Sequence, residues 1–278
     1  MEQSKYRLEV LDKIKELEKE GRFDVDADEN PSFEPLKAGE VDYLRKKLSS
    51  KIKNVYCNHL LDKFVKSQVK ANQGFLDNIV GMEKLYNLKG GAMITSNHFH
   101  PFDSWPISTM VKCLRPKRKM HIIIAEHNYA GAEGFNGKIF RNTNTIPLAQ
   151  DRKVMMECMR AINHFLHKGD WILIYPEQAM WWNYRKPRPL KSGAFRFAVK
   201  SNKPVVACFI TMRDTEYMDR EGFPVQAYTL HILDVLYPKS DLSEKENVEY
   251  LKQENERLMK EKYEEVYGIP LSYTNEEE

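Results

Sequence analysis

Hydrophobic residues at helical spacing mark both ends of this 278-residue chain. Near the start, an amphipathic helix is predicted over 5–20, because apolar residues recur every three or four positions until Gly21. These residues are Leu8, Leu11, Ile14 and Leu17. Near the end, Ser243 and Glu246 have the spacing of a capping box, and Gly268 ends the helix that the box opens.

A longer helical pattern runs over 38–71, and its polar face consists largely of lysine. From Arg45 to Lys70 there are 8 basic side chains and one acidic side chain, Asp62. Basic amphipathic helices often lie on anionic membrane surfaces, but a solvated face on a helix packed against the core gives the same pattern. Both interpretations stay open at this point.

After residue 90, short apolar runs alternate with helical patterns. The predicted strands are 92–96, 121–125, 171–175, 204–211 and 227–235, and the predicted helices between them are 103–114, 152–168 and 192–201. Strands and helices that alternate in this way favour an α/β fold with a central, mostly parallel sheet. We therefore expect that sheet to be flanked by helices, with amphipathic helices before it and a helix after it.

Charge divides the chain in the same way as the hydrophobic pattern. The expected segments are an N-terminal helix and acidic loop (1–36), a basic amphipathic helical region (37–89), an α/β core (90–238), and a C-terminal helix with an acidic tail (239–278). The net charge of +3 comprises −5 in the first segment, −6 in the last and +14 between them. A basic body attracts anions such as phospholipid head groups, coenzyme A phosphates or an acidic carrier protein. The tail Glu276-Glu277-Glu278 is expected to be disordered.

Several classes of protein are not expected. The N-terminus has no basic region followed by an apolar stretch, and no run approaches the roughly 18 to 20 apolar residues of a spanning helix. The cysteines form no C-x-x-C pair, which fits reduced thiols and buried structural roles; they are Cys57, Cys113, Cys158 and Cys208. No nucleic-acid-binding signature accompanies the charge. We expect a cytoplasmic protein that associates peripherally with the inner face of the membrane.

The most informative candidate chemistry is the pair His98 and Asp103. The run from Thr95 to Asp103 lies where a strand is predicted to end and a short helix to begin. A carboxylate five residues beyond a histidine can fold back, hold one ring nitrogen protonated and leave the other free as a base. The sequence therefore predicts a catalytic histidine–aspartate dyad at the mouth of a strand.

With its neighbours, this pair resembles a known family. Asn97-His98 and Asp103 form an N-H-x4-D motif, Arg141 and Arg152 flank Ile146-Pro147-Leu148, and Tyr175-Pro176-Glu177 and a strand from Pro204 follow. The order is similar to that of the PlsC-type glycerolipid acyltransferases, the lysophosphatidic acid acyltransferase family. Their pattern is N-H-x4-D, an arginine block, F-P-E-G-T-R and a V-P-V strand.

The resemblance implies transfer of a fatty acyl group from a thioester to a hydroxyl of a lysophospholipid such as 1-acylglycerol-3-phosphate. The donor would be acyl-CoA or acyl carrier protein, and an anionic membrane surface would be a further partner. His98 would accept the hydroxyl proton and Asp103 would orient the imidazole. No metal or redox cofactor is required for this reaction.

The later blocks depart from the family pattern. Gln178-Ala179-Met180 stands where the family has G-T-R, so the phosphate-binding arginine is missing. A basic cluster just downstream could replace it or could be surface charge: Arg185, Lys186, Arg188 and Lys191. Trp181, Trp182 and Tyr184 beside it suit either lipid contact or packing. The resulting candidates for substrate binding are Asn97, Arg141, Arg152, Glu177, Arg185, Arg188 and Lys191.

Two other functions fit parts of the sequence. His98-x-His100 near Asp103 resembles part of a metallohydrolase site, although further ligand histidines are not obvious. A lipid-binding peripheral membrane protein with a degenerate acyltransferase site fits the altered third block. A zinc analysis distinguishes the first alternative, and thiol release in the presence of a lysolipid distinguishes the second.

Overall fold

The computed structural model describes residues 2–273, and the acidic tail from Glu276 to Glu278 lies outside this range. The strands are β1 (Phe75–Val80), β2 (Ala92–Thr95), β3 (Met120–Ala125), β4 (Thr145–Leu148), β5 (Trp171–Ile174), β6 (Val205–Met218) and β7 (Pro224–Leu236). The α-helices are α1 (Lys5–Lys19), α2 (Leu48–Lys70), α3 (Ser104–Cys113), α4 (Glu126–Ala130), α5 (Gly134–Asn142), α6 (Arg152–Lys168), α7 (Gly193–Ser201) and α8 (Glu244–Tyr267).

The strands form one sheet in the order β1-β7-β6-β2-β5-β3-β4. Every neighbouring pair is parallel except β6 and β7, which are joined by a short turn and run antiparallel. The predicted α/β fold, with its mostly parallel sheet, N-terminal helices and C-terminal helix, is confirmed.

Burial on both faces of the sheet explains the short apolar runs. Successive residues of a strand point to opposite faces. Met93 of β2 packs in a cluster with residues of α6, α7 and α8, while Ile94 packs in a second cluster with residues of α3. All four residues of β2 are buried, as are all four of β5. These two strands form the buried centre of the sheet.

The sheet also contains two strands that the pattern did not predict. The segment 37–89, expected to be helical, supplies β1, which pairs with β7 at one edge. The predicted helix over 38–71 begins only at Leu48. At the other edge, β4 contains Pro147. Proline has no backbone N–H to donate to a neighbouring strand, so sheets accommodate it at their edges.

The helix boundaries at the two ends of the chain agree closely with the sequence. Ser4 caps α1, and Ser243 and Glu246 form the predicted capping box at the start of α8. Three cysteines are buried and Cys113 is exposed. Burial raises the pKa of the Cys158 thiol to about 12.

Within residues 2–273, no helix combines the length and apolar character that crossing a membrane requires.

Candidate active site

The candidate site lies at the carboxyl ends of β2 and β5. These strands are parallel neighbours, with Thr95 opposite Ile174. His98 follows the end of β2 by three residues, and Glu177 follows the end of β5 by the same distance. Ligands of parallel α/β sheets commonly bind at this edge. The sheet register therefore brings together two motifs that are 79 positions apart in the chain.

Asn97 anchors the loop that carries His98. Its side-chain amide donates to the backbone oxygen of Ile210 at 2.9 Å and accepts from the backbone nitrogen of the same residue at 2.8 Å. Both functional ends of the amide are thus occupied, and the side chain is buried. Asn97 thus ties the motif to β6, and its assignment to substrate binding stays a prediction.

His98 and Asp103 form the predicted close pair. Nδ1 of His98 lies 2.7 Å from Oδ2 of Asp103, and the aspartate side chain is almost fully buried while that of the histidine is partly exposed. Oδ2 also accepts hydrogen bonds from the backbone N–H groups of Phe99 and His100, at 2.9 and 3.2 Å. Since Nδ1 faces the carboxylate, the second ring nitrogen, Nε2, is the one left to meet a substrate.

The surroundings of Asp103 keep it ionised. Burial raises the pKa of its carboxyl, but the electrostatic interaction with His98 and the hydrogen bonds from His98, Tyr175 and Phe99 outweigh burial and hold that pKa below its usual value. Asp103 also directly precedes α3, and the N-terminus of a helix favours a negative charge. The buried carboxylate can therefore hold a proton on Nδ1 of the histidine.

Tyr175 is a member of this site that the sequence reasoning missed. Its hydroxyl donates to Oδ1 of Asp103 at 2.6 Å. Its ring stacks on the imidazole of His98, with centroids 4.0 Å apart and planes 12° from parallel. The signal available in the sequence was a tyrosine in the position where the family's F-P-E block begins with phenylalanine.

The side chain of His100 forms a hydrogen bond within its own loop. Its Nδ1 accepts a hydrogen bond from the backbone N–H of Phe102 at 3.1 Å, and burial lowers the pKa of the imidazole to about 4. In the part of the chain that the structure describes, no three His, Cys, Asp or Glu side chains are grouped as a metal site would require.

Glu177 and Arg188 form a buried ion pair directly beneath the His98 loop. Nη2 of Arg188 lies 2.6 Å from Oε2 of Glu177, and both side chains are 1% exposed. Glu177 also accepts from the backbone N–H of His98 at 3.0 Å and from that of Arg188 at 2.9 Å. Arg188 in turn donates to the backbone oxygens of His98, Ala179 and Phe23. The pair therefore fixes the backbone on both sides of the histidine.

Glu177 and Arg188 were predicted to bind substrate, and that assignment stays a prediction, but the contacts of both side chains lie within the protein. Glu177 accepts three hydrogen bonds at Oε2 and one at Oε1, all from within the protein. The Arg188 guanidinium is covered by the Trp181 ring, 4.7 Å away, and by protein carbonyls. Both residues hold the backbone of His98 in place.

The remaining cations of the predicted phosphate-binding cluster are paired with acidic side chains. Arg185 lies 2.8 Å from Asp214, Lys186 lies 2.6 Å from Glu18 and Lys191 lies 2.7 Å from Asp24. Two of these three acids, Glu18 and Asp24, belong to the N-terminal segment. The sequence showed that this segment is acidic but did not show which basic residues it pairs with. The cluster is therefore neutralised within the protein.

The aromatic residues beside this cluster are packed and do not face a membrane. Trp181 and Trp182 are buried against α1 residues such as Ile14 and Leu17. The Trp181 indole nitrogen donates to the backbone oxygen of Val25 at 2.8 Å. The packing interpretation of these aromatics is the correct one.

The two arginines near β4 lie away from the dyad. Arg141 donates to the backbone oxygens of Tyr129 and Ala132. These hydrogen bonds link α5 to the end of α4 and to the connection between the two helices. Arg152 is exposed at the start of α6. Because β5 and β3 separate β4 from β2, this edge is about 14 Å from the His98 strand at roughly 4.8 Å per strand. Their assignment to substrate binding stays a prediction.

Fold and site together define an α/β domain with a histidine–aspartate pair at the carboxyl edge of a parallel sheet. Residues 78–211 match the family model described as Acyltransferase. The resemblance that the sequence motifs indicated is thereby confirmed.

The fold is similar to that of a solved acyltransferase. This is the crystal structure of PlsC, the 1-acyl-sn-glycerophosphate (LPA) acyltransferase from Thermotoga maritima, with a TM-score of 0.50 and 21% sequence identity. The similarity covers 71% of this chain and 75% of that one, and at this identity it concerns the fold alone. No curated protein sequence matches the chain.

Proposed function

We propose that this protein transfers a fatty acyl group from a thioester, acyl-CoA or acyl carrier protein, to a hydroxyl of a lysophospholipid such as 1-acylglycerol-3-phosphate. The observation that carries the proposal is the 2.7 Å contact between His98 and a buried, ionised Asp103 within an acyltransferase-family domain. In this arrangement His98 is the general base and Asp103 orients it.

The reaction needs only the substrates and this pair. As the acceptor oxygen attacks the thioester carbonyl, Nε2 of His98 takes its proton and a carbon–oxygen bond forms. The carbon–sulfur bond then breaks, and the imidazolium returns the proton to the departing thiolate. Asp103 stabilises the positive imidazolium, as the carboxylate does in serine hydrolases. Holding donor and acceptor together lowers the barrier further.

A thiol-release assay tests this function. The purified protein is given one defined acyl-CoA or acyl carrier protein and a panel of lysophospholipids, and free thiol and diacyl product are measured together. We expect thiol release to depend on an acceptor and to match the product formed. If the protein binds lysolipid but releases no thiol with either donor, it is a lipid-binding protein with a degenerate site.

Neutralisation of the basic cluster leads to a prediction about the acceptor. Replacing Arg185 with alanine removes an exposed ion pair to Asp214 that contacts no part of the dyad. We expect the acceptor KM to stay within about twofold of the wild-type value, because Arg185 is already paired with Asp214, and the loss of such an exposed pair, worth roughly 0–1 kcal/mol of stability, should leave the dyad in place. Steady-state kinetics with a phosphate-bearing acceptor measures this. A rise of KM by an order of magnitude would show instead that Arg185 leaves Asp214 and binds the phosphate.

We further propose that α2 binds an anionic membrane surface and so places the site near its lipid substrates. Leu48, Ile52, Val55 and Tyr56 lie on one face of the helix, and each is more than half exposed. Lysines flank them, and Lys51 and Lys53 are exposed within the same turns. An apolar face bordered by lysines matches a negatively charged bilayer in both chemistry and charge.

Sedimentation with lipid vesicles tests this second proposal. We expect Ile52→Asp combined with Val55→Asp to weaken binding to phosphatidylglycerol-containing vesicles by tenfold or more, since burying one such side chain contributes about 1.5–3 kcal/mol. Met156→Asp is the matched control, because Met156 is an exposed apolar residue on α6. Equal binding by both variants and the wild type would remove α2 from the membrane contact.

A further inference from the structure

We propose that Tyr175 is a positioning residue of the acyl transfer, one that fixes both the plane of the His98 ring and the carboxylate that orients it. The proposal rests on the proposed function of the His98–Asp103 pair. It adds a third side chain to that pair, acting through His98 and Asp103 without contact to the substrate.

The first argument concerns the second oxygen of Asp103. Three donors converge on Oδ2: Nδ1 of His98 and the backbone N–H groups of Phe99 and His100. The Tyr175 hydroxyl, at 2.6 Å, is the donor that meets Oδ1 among the described residues. With both oxygens held, the carboxylate cannot rotate about its Cβ–Cγ bond. Oδ2 therefore stays aligned with the histidine.

The second argument concerns the imidazole plane. A stacked phenol ring at 4.0 Å and 12° leaves no space for the His98 ring to turn out of its plane. Rotation of that ring would break the Nδ1 contact and would move Nε2 away from an acceptor. One side chain thus restricts both partners of the dyad, because Tyr175 lies one residue beyond β5 and β5 is the parallel neighbour of β2.

The third argument concerns the protonation state of Tyr175. Burial and the adjacent Asp103 carboxylate both raise the pKa of the phenol well above its ordinary value. The hydroxyl therefore keeps its proton throughout the range in which the enzyme would work and remains a donor. A protonated phenol beside a carboxylate is suited to orienting that carboxylate and unsuited to acting as a base.

Two substitutions separate the roles of the hydroxyl and the ring. Tyr175→Phe removes the hydrogen bond and keeps the stack, and Tyr175→Leu removes both. A hydrogen bond to a charged group is stronger than one between neutral groups, but Oδ2 keeps its other donors, so we expect Tyr175→Phe to lower kcat about tenfold. The acceptor KM should not change, and Tyr175→Leu should lower kcat further.

Tyr43→Phe is the matched control, because it also removes a buried tyrosine hydrogen bond, from its hydroxyl to the Pro147 backbone oxygen at 3.0 Å, away from the dyad. It should change the unfolding temperature about as much as Tyr175→Phe and leave kcat unaffected. A Tyr175→Phe variant with wild-type kcat overturns the proposal. So does a loss of kcat that Tyr43→Phe reproduces, because that loss would come from destabilisation alone.

An NMR measurement tests the positioning without any substrate. In nitrogen-labelled protein, the Nδ1–H signal of His98, identified by its loss in His98→Ala, should be sharp in the wild type and broadened by exchange in both Tyr175 variants. An unchanged signal in both variants overturns the proposal. If the wild type transfers no acyl group, the proposed function is wrong, while this measurement still decides whether Tyr175 holds the histidine in place.

Discussion

Replacing His98 with alanine is expected to lower kcat by about 10²- to 10⁴-fold, the usual contribution of a positioned general base. The attacking hydroxyl would lose its proton acceptor, while the binding of donor and acceptor would be retained. KM for both substrates should therefore change little. Initial rates of thiol release and diacyl product, measured over a range of substrate concentrations, give these values.

The fold should survive this substitution. The contacts that anchor residue 98 are made by its backbone, whose N–H donates to Glu177 and whose oxygen accepts from Arg188. Asp103 would retain its hydrogen bonds from Tyr175 and Phe99. The unfolding temperature of the variant should thus be close to that of the wild type. A loss of activity in a well-folded variant is then a loss of chemistry.

His100→Asn provides the matched control for the base. This variant removes a histidine two residues away, and the asparagine oxygen can still accept the hydrogen bond from the Phe102 N–H that Nδ1 of His100 now receives. We expect it to keep most of its activity. Wild-type turnover by His98→Ala, or an equal loss in His100→Asn, would contradict the assignment of the base.

Replacing Arg188 with alanine is expected to lower the free energy of unfolding by about 3–5 kcal/mol, the usual cost of removing one partner of a buried ion pair. The variant would leave the Glu177 carboxylate buried without its cation. It would also release the backbone oxygens of His98, Ala179 and Phe23 from the guanidinium. Urea unfolding followed by fluorescence measures the change.

Two comparisons make this result specific. Lys191→Ala breaks a half-exposed ion pair of the same basic cluster, with Asp24, and should cost less because water can solvate the charge that remains. The double variant Glu177→Gln, Arg188→Met should recover part of the lost stability, because it removes both buried charges. A loss for Arg188→Ala no larger than for Lys191→Ala would show that the buried pair does not hold the site together.

The stability of this pair also affects the dyad. Glu177 and Arg188 bind the backbone nitrogen and oxygen of His98, so they set the position from which its side chain projects. We therefore expect Arg188→Ala to lose activity at temperatures where the protein is still folded.

The sequence predicted best those features that depend on short-range spacing. Helix periodicity and capping signals located α1 and α8, and alternating apolar runs located the central strands. The two missed strands show the limit of this approach. Phe75–Val80 carries an aspartate and an asparagine, and Thr145–Leu148 is short and contains a proline. Edge strands are buried on fewer sides, so their apolar pattern is weaker.

The sequence by itself determined the α/β fold and brought His98 and Asp103 to attention, because both follow from spacings of a few residues. Only the tertiary structure decided which charged side chains are paired within the protein. Arg188 is satisfied by Glu177 and by Phe23, 165 positions away, and the other cations of its cluster pair with acids from distant segments. The parallel register of β2 and β5 likewise placed Tyr175 against the dyad. Such contacts arise only when remote segments pack together, and no local pattern encodes them.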